Sequence, residues 1–247
     1  MSAKTNTSID EQEVENFNAL ADEWWDENGP MKPLHDLNPT RLLHFKEQIC
    51  HHFDRDIADP KALKGLDILD IGCGAGLVCE PLTRLGANVT GIDAAAKNVQ
   101  VARLHAKDMD LKIDYKNKTA EDLSTSKKKY DVVLALEIVE HVANPEFFIK
   151  SVLSCVKKDG LVIFSTVNRT AKSYLFAIVG AEYLLRILPV GTHEWKKFVK
   201  PSELVSMIEM EKALITDVTG MPYHPISKEY RLSDDDLSVN YFVTATV

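Results

Sequence analysis

Nine residues, Ile68-Leu69-Asp70-Ile71-Gly72-Cys73-Gly74-Ala75-Gly76, constrain this chain more than any other stretch. An apolar run of strand length meets three alternate glycines. A second apolar run, Val89-Thr90-Gly91-Ile92, then closes on Asp93. The pattern predicts strand, tight turn, helix and strand, the unit that builds parallel sheets. The glycines allow a sharp turn and let the backbone approach a ligand where a Cβ would collide. An acid ending the second strand is placed to accept hydrogen bonds from two ribose hydroxyls. Spacing excludes two familiar alternatives. In the dinucleotide fingerprint G-x-G-x-x-G the third glycine stands three places after the second. Here it comes after two, and Leu77 holds the dinucleotide position. No Lys-Ser or Lys-Thr pair follows, as a phosphate loop requires.

This Asp-x-Gly-x-Gly-x-Gly stretch, with Asp93 about 20 residues downstream, resembles class I S-adenosylmethionine-dependent methyltransferases. That resemblance implies an α/β fold with a Rossmann-like sheet and flanking helices. The rest of the chain is consistent. Strands are expected at Asp67 to Ile71, Asn88 to Ile92, Lys112 to Tyr115, Tyr130 to Leu136 and Leu161 to Thr166, with helices between them. Tyr130 to Leu136 is apolar enough for burial on both faces. Lys158-Asp159-Gly160 reads as a turn. Pro201-Ser202-Glu203 opens a late helix, and strands near Leu214 to Thr219 and Val239 to Val247 complete the sheet. Ahead of it, Glu11 to Trp25 has helical spacing, Pro33 to Pro39 reads as a loop, and Thr40 to Phe53 as a second helix. One domain over 11–247 is expected, with a helical cover at 11–60, an apolar insertion at about 169–200, and a disordered 1–10.

Composition narrows the partners. A net charge of -8 disfavours nucleic acid, which calls for a broad basic surface. Cys50, Cys73, Cys79 and Cys155 form no C-x-x-C pair, so reduced thiols are expected. Met1 to Asp10 has neither an apolar run nor an arginine-rich character, which points to a cytoplasmic protein or a mature organellar form.

Methyl transfer to an oxygen needs alignment opposite the departing sulfur and a base or metal, because a phenol ionises near pH 10, by analogy with tyrosine. Glu137, Glu140 and His141 are spaced i, i+3, i+4, one face of a helix. Three readings stand. The trio holds a divalent cation, for which oxygen-rich ligation suits Mg²⁺. His141 acts alone as general base. Or the residues cap a helix. His193 is a second base candidate or a plain loop histidine. Arg41 is placed to pair with a methionine carboxylate, or is a solvated surface residue. Ser173 to Val190 is too short and too charged, through Glu182 and Arg186, to span a bilayer. It reads as an interfacial membrane contact, a packed lid, or a subunit interface.

Several further segments carry a closer likeness. They are Phe17-Asn18-Ala19-Leu20-Ala21-Asp22-Glu23-Trp24-Trp25, Pro33-Leu34-His35-Asp36-Leu37-Asn38-Pro39-Thr40-Arg41-Leu42, Glu137-Ile138-Val139-Glu140-His141-Val142 and Gly191-Thr192-His193-Glu194-Trp195-Lys196-Lys197-Phe198. With Phe164 to Thr170 and Asp236 to Tyr241, they make the chain resemble the ubiquinone-biosynthesis O-methyltransferase family over about residues 10 to 246. The resemblance implies two O-methylations of polyprenyl-substituted phenols. It implies cofactor contacts at Arg41, Gly72, Asp93 and Leu136, beside Gly74 and Gly76 of the turn. It implies a divalent metal at Glu137, Glu140 and His141, and lipid contact through Ser173 to Val190. Other ubiquinone-biosynthesis proteins are expected partners, and the inner face of a membrane (matrix side in an organelle) the expected location. Two other readings keep the cofactor: methylation of a different acceptor, and a non-catalytic subunit binding cofactor and lipid.

Overall fold

The computed structural model describes residues 7–174, 195–225 and 227–247. Its centre is a seven-stranded sheet in the order β3-β2-β1-β4-β5-β9-β6. The strands are β1 (Asp67–Ile71), β2 (Asn88–Asp93), β3 (Asp114–Asn117), β4 (Tyr130–Leu136), β5 (Val156–Val167), β6 (Leu214–Gly220) and β9 (Asn240–Thr246). The first five pair in parallel, and β9 runs antiparallel between β5 and β6. A small hairpin, β7 (Tyr223–His224) with β8 (Glu229–Tyr230), stands apart. Strand order reverses between β1 and β4, so the carboxyl ends of those strands open a crevice where ligands of such sheets bind.

Residue alternation explains the layers. Ile68 of β1 and Val132, Leu134 and Leu136 of β4 enter one apolar cluster. Leu69, Ile71, Val133 and Ala135 enter the other. Helices cover both faces, as a parallel sheet requires. The first cluster is closed by α2 (Lys32–His52), α3 (Cys79–Arg84) and α4 (Ala96–Asp108). The second is closed by α5 (Ala120–Ser124), α6 (Pro145–Leu153) and α8 (Pro201–Met210). The remaining helices are α1 (Glu11–Ala19), at the mouth of the crevice, and the short α7 (Ala171–Ser173). Among the described residues no helix is long and apolar enough to cross a membrane.

The structure departs from the sequence reading in several places. The expected loop at Pro33 to Pro39 is helical: α2 begins at Lys32 and carries Pro39 inside it. Pro33 sits in the first turn, where a missing N–H loses nothing. Pro39 sacrifices a backbone rung, roughly 3 kcal/mol in a helix interior. Burial of Leu37, Arg41 and Phe45 on the same helix opposes that loss. The first helix stops at Ala19, and a 3₁₀ turn over Ala21–Glu23 leads to the two tryptophans. β3 lies two residues later than expected, and Thr119 caps the unforeseen α5. Lys158-Asp159-Gly160 is an irregularity inside one long strand: the β4–β5 register shifts between Tyr130 and Val132, and Asp159 has φ 59°. Residues 7–10 are not a loose tail. Ser8 is buried, bonded through its amide and hydroxyl to Glu121, and its carbonyl accepts from the Ala143 amide. The apolar segment Ser173 to Val190 lies, beyond Tyr174, outside the described residues.

Phe45 fastens α2 to the sheet. It is fully buried, with its ring edge-on to Phe242 of β9 at 5.7 Å. Phe45→Ala should lower unfolding free energy by about 3–5 kcal/mol, read by urea denaturation, because the cavity opens between two rigid elements.

Candidate functional site

The glycine turn is held by hydrogen bonds that its sequence makes available. The Gly72 and Cys73 amides both donate to the Ile92 carbonyl, at 2.8 and 3.0 Å, and the Gly76 amide donates to the Cys73 carbonyl at 2.9 Å. Gly72, Gly74 and Gly76 all take positive φ, 72°, 53° and 92°, a region closed to most side chains. The space a Cβ would fill is taken by protein, contrary to the expectation of a bare cradle. It would meet Ile138 at Gly72, the Trp24 indole 2.3 Å away at Gly74, and the Tyr115 hydroxyl at Gly76. Gly72 lines the cavity; Gly74 and Gly76 stand behind it.

That cavity, about 570 Å³, lies over the β1/β4 crevice. Arg41, Gly72, Asp93, Leu136, Glu137, Glu140 and His141 all line it, whereas after β5 Val167 lines it and Asn168 and Arg169, expected at the same edge, do not. Its volume falls within the usual range for small-molecule sites. Asp93 anchors one end. Its two oxygens accept the Gly74 amide at 2.9 Å and the Ala95 amide at 2.7 Å. Burial pushes its carboxyl up to about 6. Asp70 is also raised to about 6, chiefly by burial. Cys73, in the cavity wall, is raised to about 11 by the same desolvation.

Arg41 is not a solvated surface residue. It is 5% exposed, with its Nε donating to Asn38 at 2.8 Å. Burial weakens its hold on a proton, and the nearby charges of Glu137 and Asp70 offset only part of that loss. Among the described residues no other hydrogen bond of its guanidinium is seen.

At the other end of the cavity, β4 gives out at Leu136, and Glu137 takes the left-handed φ of 51°. A 3₁₀ turn over Val139–His141 follows. Glu137, Glu140 and His141 therefore do not share one α-helical face, and the helix-capping alternative falls with it. The Glu137 carboxylate accepts from the Ser165 hydroxyl at 2.8 Å. Glu140 accepts from the Thr166 hydroxyl, also at 2.8 Å. Burial and then the neighbouring Glu140 raise Glu137 to about 7. His141 Nδ1 meets the Glu13 carboxylate at 3.1 Å. Burial lowers its proton affinity, and the Glu13 hydrogen bond with the surrounding carboxylates more than restores it, for a net rise. Two carboxylates and an imidazole are the right chemistry for a hard cation. Yet among the described residues no three His, Cys, Asp or Glu side chains stand in metal-holding geometry. The trio as arranged does not make the expected metal site. His193 lies outside the described residues.

Sequence reading missed several lining residues. Glu121 follows the Thr119 cap, and its Oε2 is buried without a hydrogen-bond partner among the described residues. It forms part of the cavity wall, an acceptor suited to an amine. The Thr119-x-x-Asp122 capping box was a legible sign that a helix start lay there. Tyr223 and Tyr230 reach the cavity from the hairpin, 5.2 Å apart by ring centre. Nothing in their spacing announced it.

Fold and site together define a class I S-adenosylmethionine-dependent methyltransferase. The family described as a methyltransferase domain matches residues 41–209. The chain is 51% identical over 241 residues to the ubiquinone biosynthesis O-methyltransferase of Roseobacter denitrificans, covering 98% of this chain and 97% of that one. It is 47% identical to the mitochondrial ubiquinone biosynthesis O-methyltransferase of Arabidopsis thaliana, covering 99% and 76%. The chain belongs to the ubiquinone biosynthesis O-methyltransferase family. Among solved structures, magnesium protoporphyrin IX methyltransferase from Synechocystis with bound S-adenosylhomocysteine superposes with TM-score 0.67 at 19% identity, covering 96% of this chain and 99% of that one. A Thermotoga maritima S-adenosylmethionine-dependent methyltransferase gives 0.64 at 14%, covering 95% and 98%.

Trp24 is buried over Gly74, and its indole N–H donates to Asn98 at 3.0 Å. Gly74→Ala should expel that ring, red-shifting tryptophan fluorescence and lowering stability by about 1–3 kcal/mol. An unchanged emission maximum would count against this packing.

Proposed function

We propose that the chain methylates phenolic oxygens of polyprenyl-substituted catechols at two steps of ubiquinone biosynthesis, with S-adenosylmethionine as donor. The observation that carries this reading is the continuity of the cavity, from Asp93 at one end to Glu137, Glu140 and His141 at the other. The cofactor's groups find matching partners along it. The ribose hydroxyls go to Asp93, which keeps spare lone pairs after accepting two backbone amides. The exocyclic amine of adenine goes to Glu121 Oε2. The methionine carboxylate goes to Arg41. Leu136 packs alongside. Met31, Leu34, Leu37, Ile138 and Tyr230 leave apolar wall for the acceptor ring and the start of its tail.

His141 takes the acceptor's proton. The phenolate oxygen then forms its bond to the methyl carbon as the carbon–sulfur bond breaks, and that electron pair stays on sulfur, giving S-adenosylhomocysteine. Fixed alignment of the two reactants supplies much of the rate, and removal of the proton supplies the nucleophile. His193 is a second candidate for the proton. Magnesium at Glu137, Glu140 and His141 is the competing reading, because a cation would offset both the burial and the Glu140 charge that raise Glu137. Chelation separates the two. Turnover that survives metal removal leaves the base acting alone, whereas loss restored by Mg²⁺ assigns the metal a role. With a catechol bearing one isoprene unit, the wild-type chain should yield a product heavier by one methyl group, and His141→Ala should lose about 100-fold or more in kcat. Absence of any methylated polyprenyl catechol would overturn the reading.

Asp93 must be ionised to accept two hydroxyls, and its ligand-free carboxyl titrates at about 6. Binding therefore releases a proton below that pH. Affinity for S-adenosylhomocysteine should be level from pH 7 to 8 and fall by about tenfold per unit well below pH 6, measured by calorimetry. Asp93→Asn should bind more weakly throughout, with a shallower slope.

The membrane contact belongs to the same reading, because the tail of the acceptor resides in lipid. Tyr174 and Trp195, at 45% and 36% exposure, stand edge to face at 6.3 Å where the chain enters and leaves the apolar segment. Lys172 and Lys196 lie beside them. Amphipathic rings flanked by lysines suit the headgroup level of a bilayer.

A further inference from the structure

The α1 strap makes more contacts at the acceptor end of the cavity than a cover needs. Glu13 and Phe17, one turn apart on α1, both meet His141. The carboxylate Oε2 of Glu13 lies 3.1 Å from His141 Nδ1, and the Phe17 ring stands edge-on to the imidazole at 5.3 Å. The second oxygen of Glu13 is held by Lys197 Nζ at 3.2 Å, and the same ammonium reaches Asp10 at 3.3 Å. Asp10 in turn caps α1, accepting the Gln12 and Glu13 amides. Each side chain that sets the position of Glu13 is thus fixed before it touches the histidine. The His141 side chain is 13% exposed and that of Glu13 18%, so the pair is shielded from water.

We propose that Glu13 is a positioning residue for His141, supplied across the cavity by an element 128 residues away in sequence. The proposal rests on the acceptor-side role given to His141 above. A carboxylate can only accept a hydrogen bond, so the pair puts the imidazole proton on Nδ1 and the basic lone pair on Nε2. The ring is then locked about its χ angles by the Glu13 bond on one side and the Phe17 edge on another. Carboxylate partners that orient a histidine in this way commonly change activity by about 10- to 100-fold when removed.

The experiment compares Glu13→Ala, Glu13→Gln and Lys197→Ala in the full chain. It measures kcat and KM with the one-isoprene catechol, S-adenosylhomocysteine affinity by calorimetry, and the His141 tautomer from long-range ¹H–¹⁵N spectra. Glu13→Ala should reduce kcat by about 10- to 100-fold, with S-adenosylhomocysteine affinity within twofold of wild type and His141 no longer held in the Nδ1–H form. Glu13→Gln, which keeps an acceptor oxygen, should retain more turnover than the alanine variant. Lys197→Ala removes one holder of Glu13 but leaves its bond to the imidazole and the Asp10 cap of α1 in place, so it should stay within threefold. Wild-type kcat in Glu13→Ala would overturn the proposal. So would an equal loss in Lys197→Ala, or an unchanged tautomer in both Glu13 variants. Wild-type kcat in His141→Ala would instead remove the role assigned to the histidine, a separable failure.

Discussion

Two backbone amides, from Gly74 and Ala95, converge on the carboxylate of Asp93, and the rest of the site is organised around that convergence. One amide belongs to the turn after β1, the other to the residue that precedes α4. A single side chain at the end of β2 therefore fixes the distance between turn and helix. The N-cap of α4 is an alanine, and its first-turn Lys97 amide is instead taken by Asn18 Oδ1 from α1. Hydrogen bonds to the ionised form partly offset the burial that raises Asp93. The group stays close enough to ionisation to accept hydrogen bonds as a carboxylate at neutral pH, at the expense of keeping a near-buried charge. Sites of this kind trade stability for readiness.

The acceptor end works by the opposite device. There the backbone itself is bent out of its usual range, with Glu137 at positive φ immediately after β4. A non-glycine residue in that region costs of order 1 kcal/mol or more. What holds it is a pair of bonds to β5: the Glu137 amide to the Ser165 carbonyl, and the Ser165 hydroxyl to the Glu137 carboxylate. The bend turns the chain so that Glu137 and Glu140 both reach the cavity although only three residues apart in an irregular stretch.

Much of this was legible in the sequence, and the reason is periodicity. The strand–glycine–helix–strand unit, the doubly buried β4, and the meeting of Gly72, Asp93, Leu136, Glu137, Glu140 and His141 at one edge follow from apolar runs and the rule that ligands sit at strand carboxyl ends, whereas Arg41, on α2, was favoured only through the family resemblance. What escaped depends on tertiary contact. The helical path through Pro33 and Pro39 is set by packing of Leu37, Arg41 and Phe45, which local propensity opposes. The i, i+3, i+4 spacing at Glu137 suggested a helix, but a left-handed residue intervened. Glu13 and Glu121 carry no local motif that marks them as site residues; each acquires its place from a partner more than a hundred positions distant.

Cys73 carries a last consequence, for electrophiles that reach the cavity wall. Catechols oxidise to ortho-quinones, electrophiles that add to thiolates. A cysteine in the cavity wall would ordinarily be an easy target. With its acidity suppressed to about 11, only about one molecule in ten thousand presents the thiolate at neutral pH. The same dry surroundings that shape the turn thus guard it against adduct formation by quinones or other electrophiles that enter the cavity.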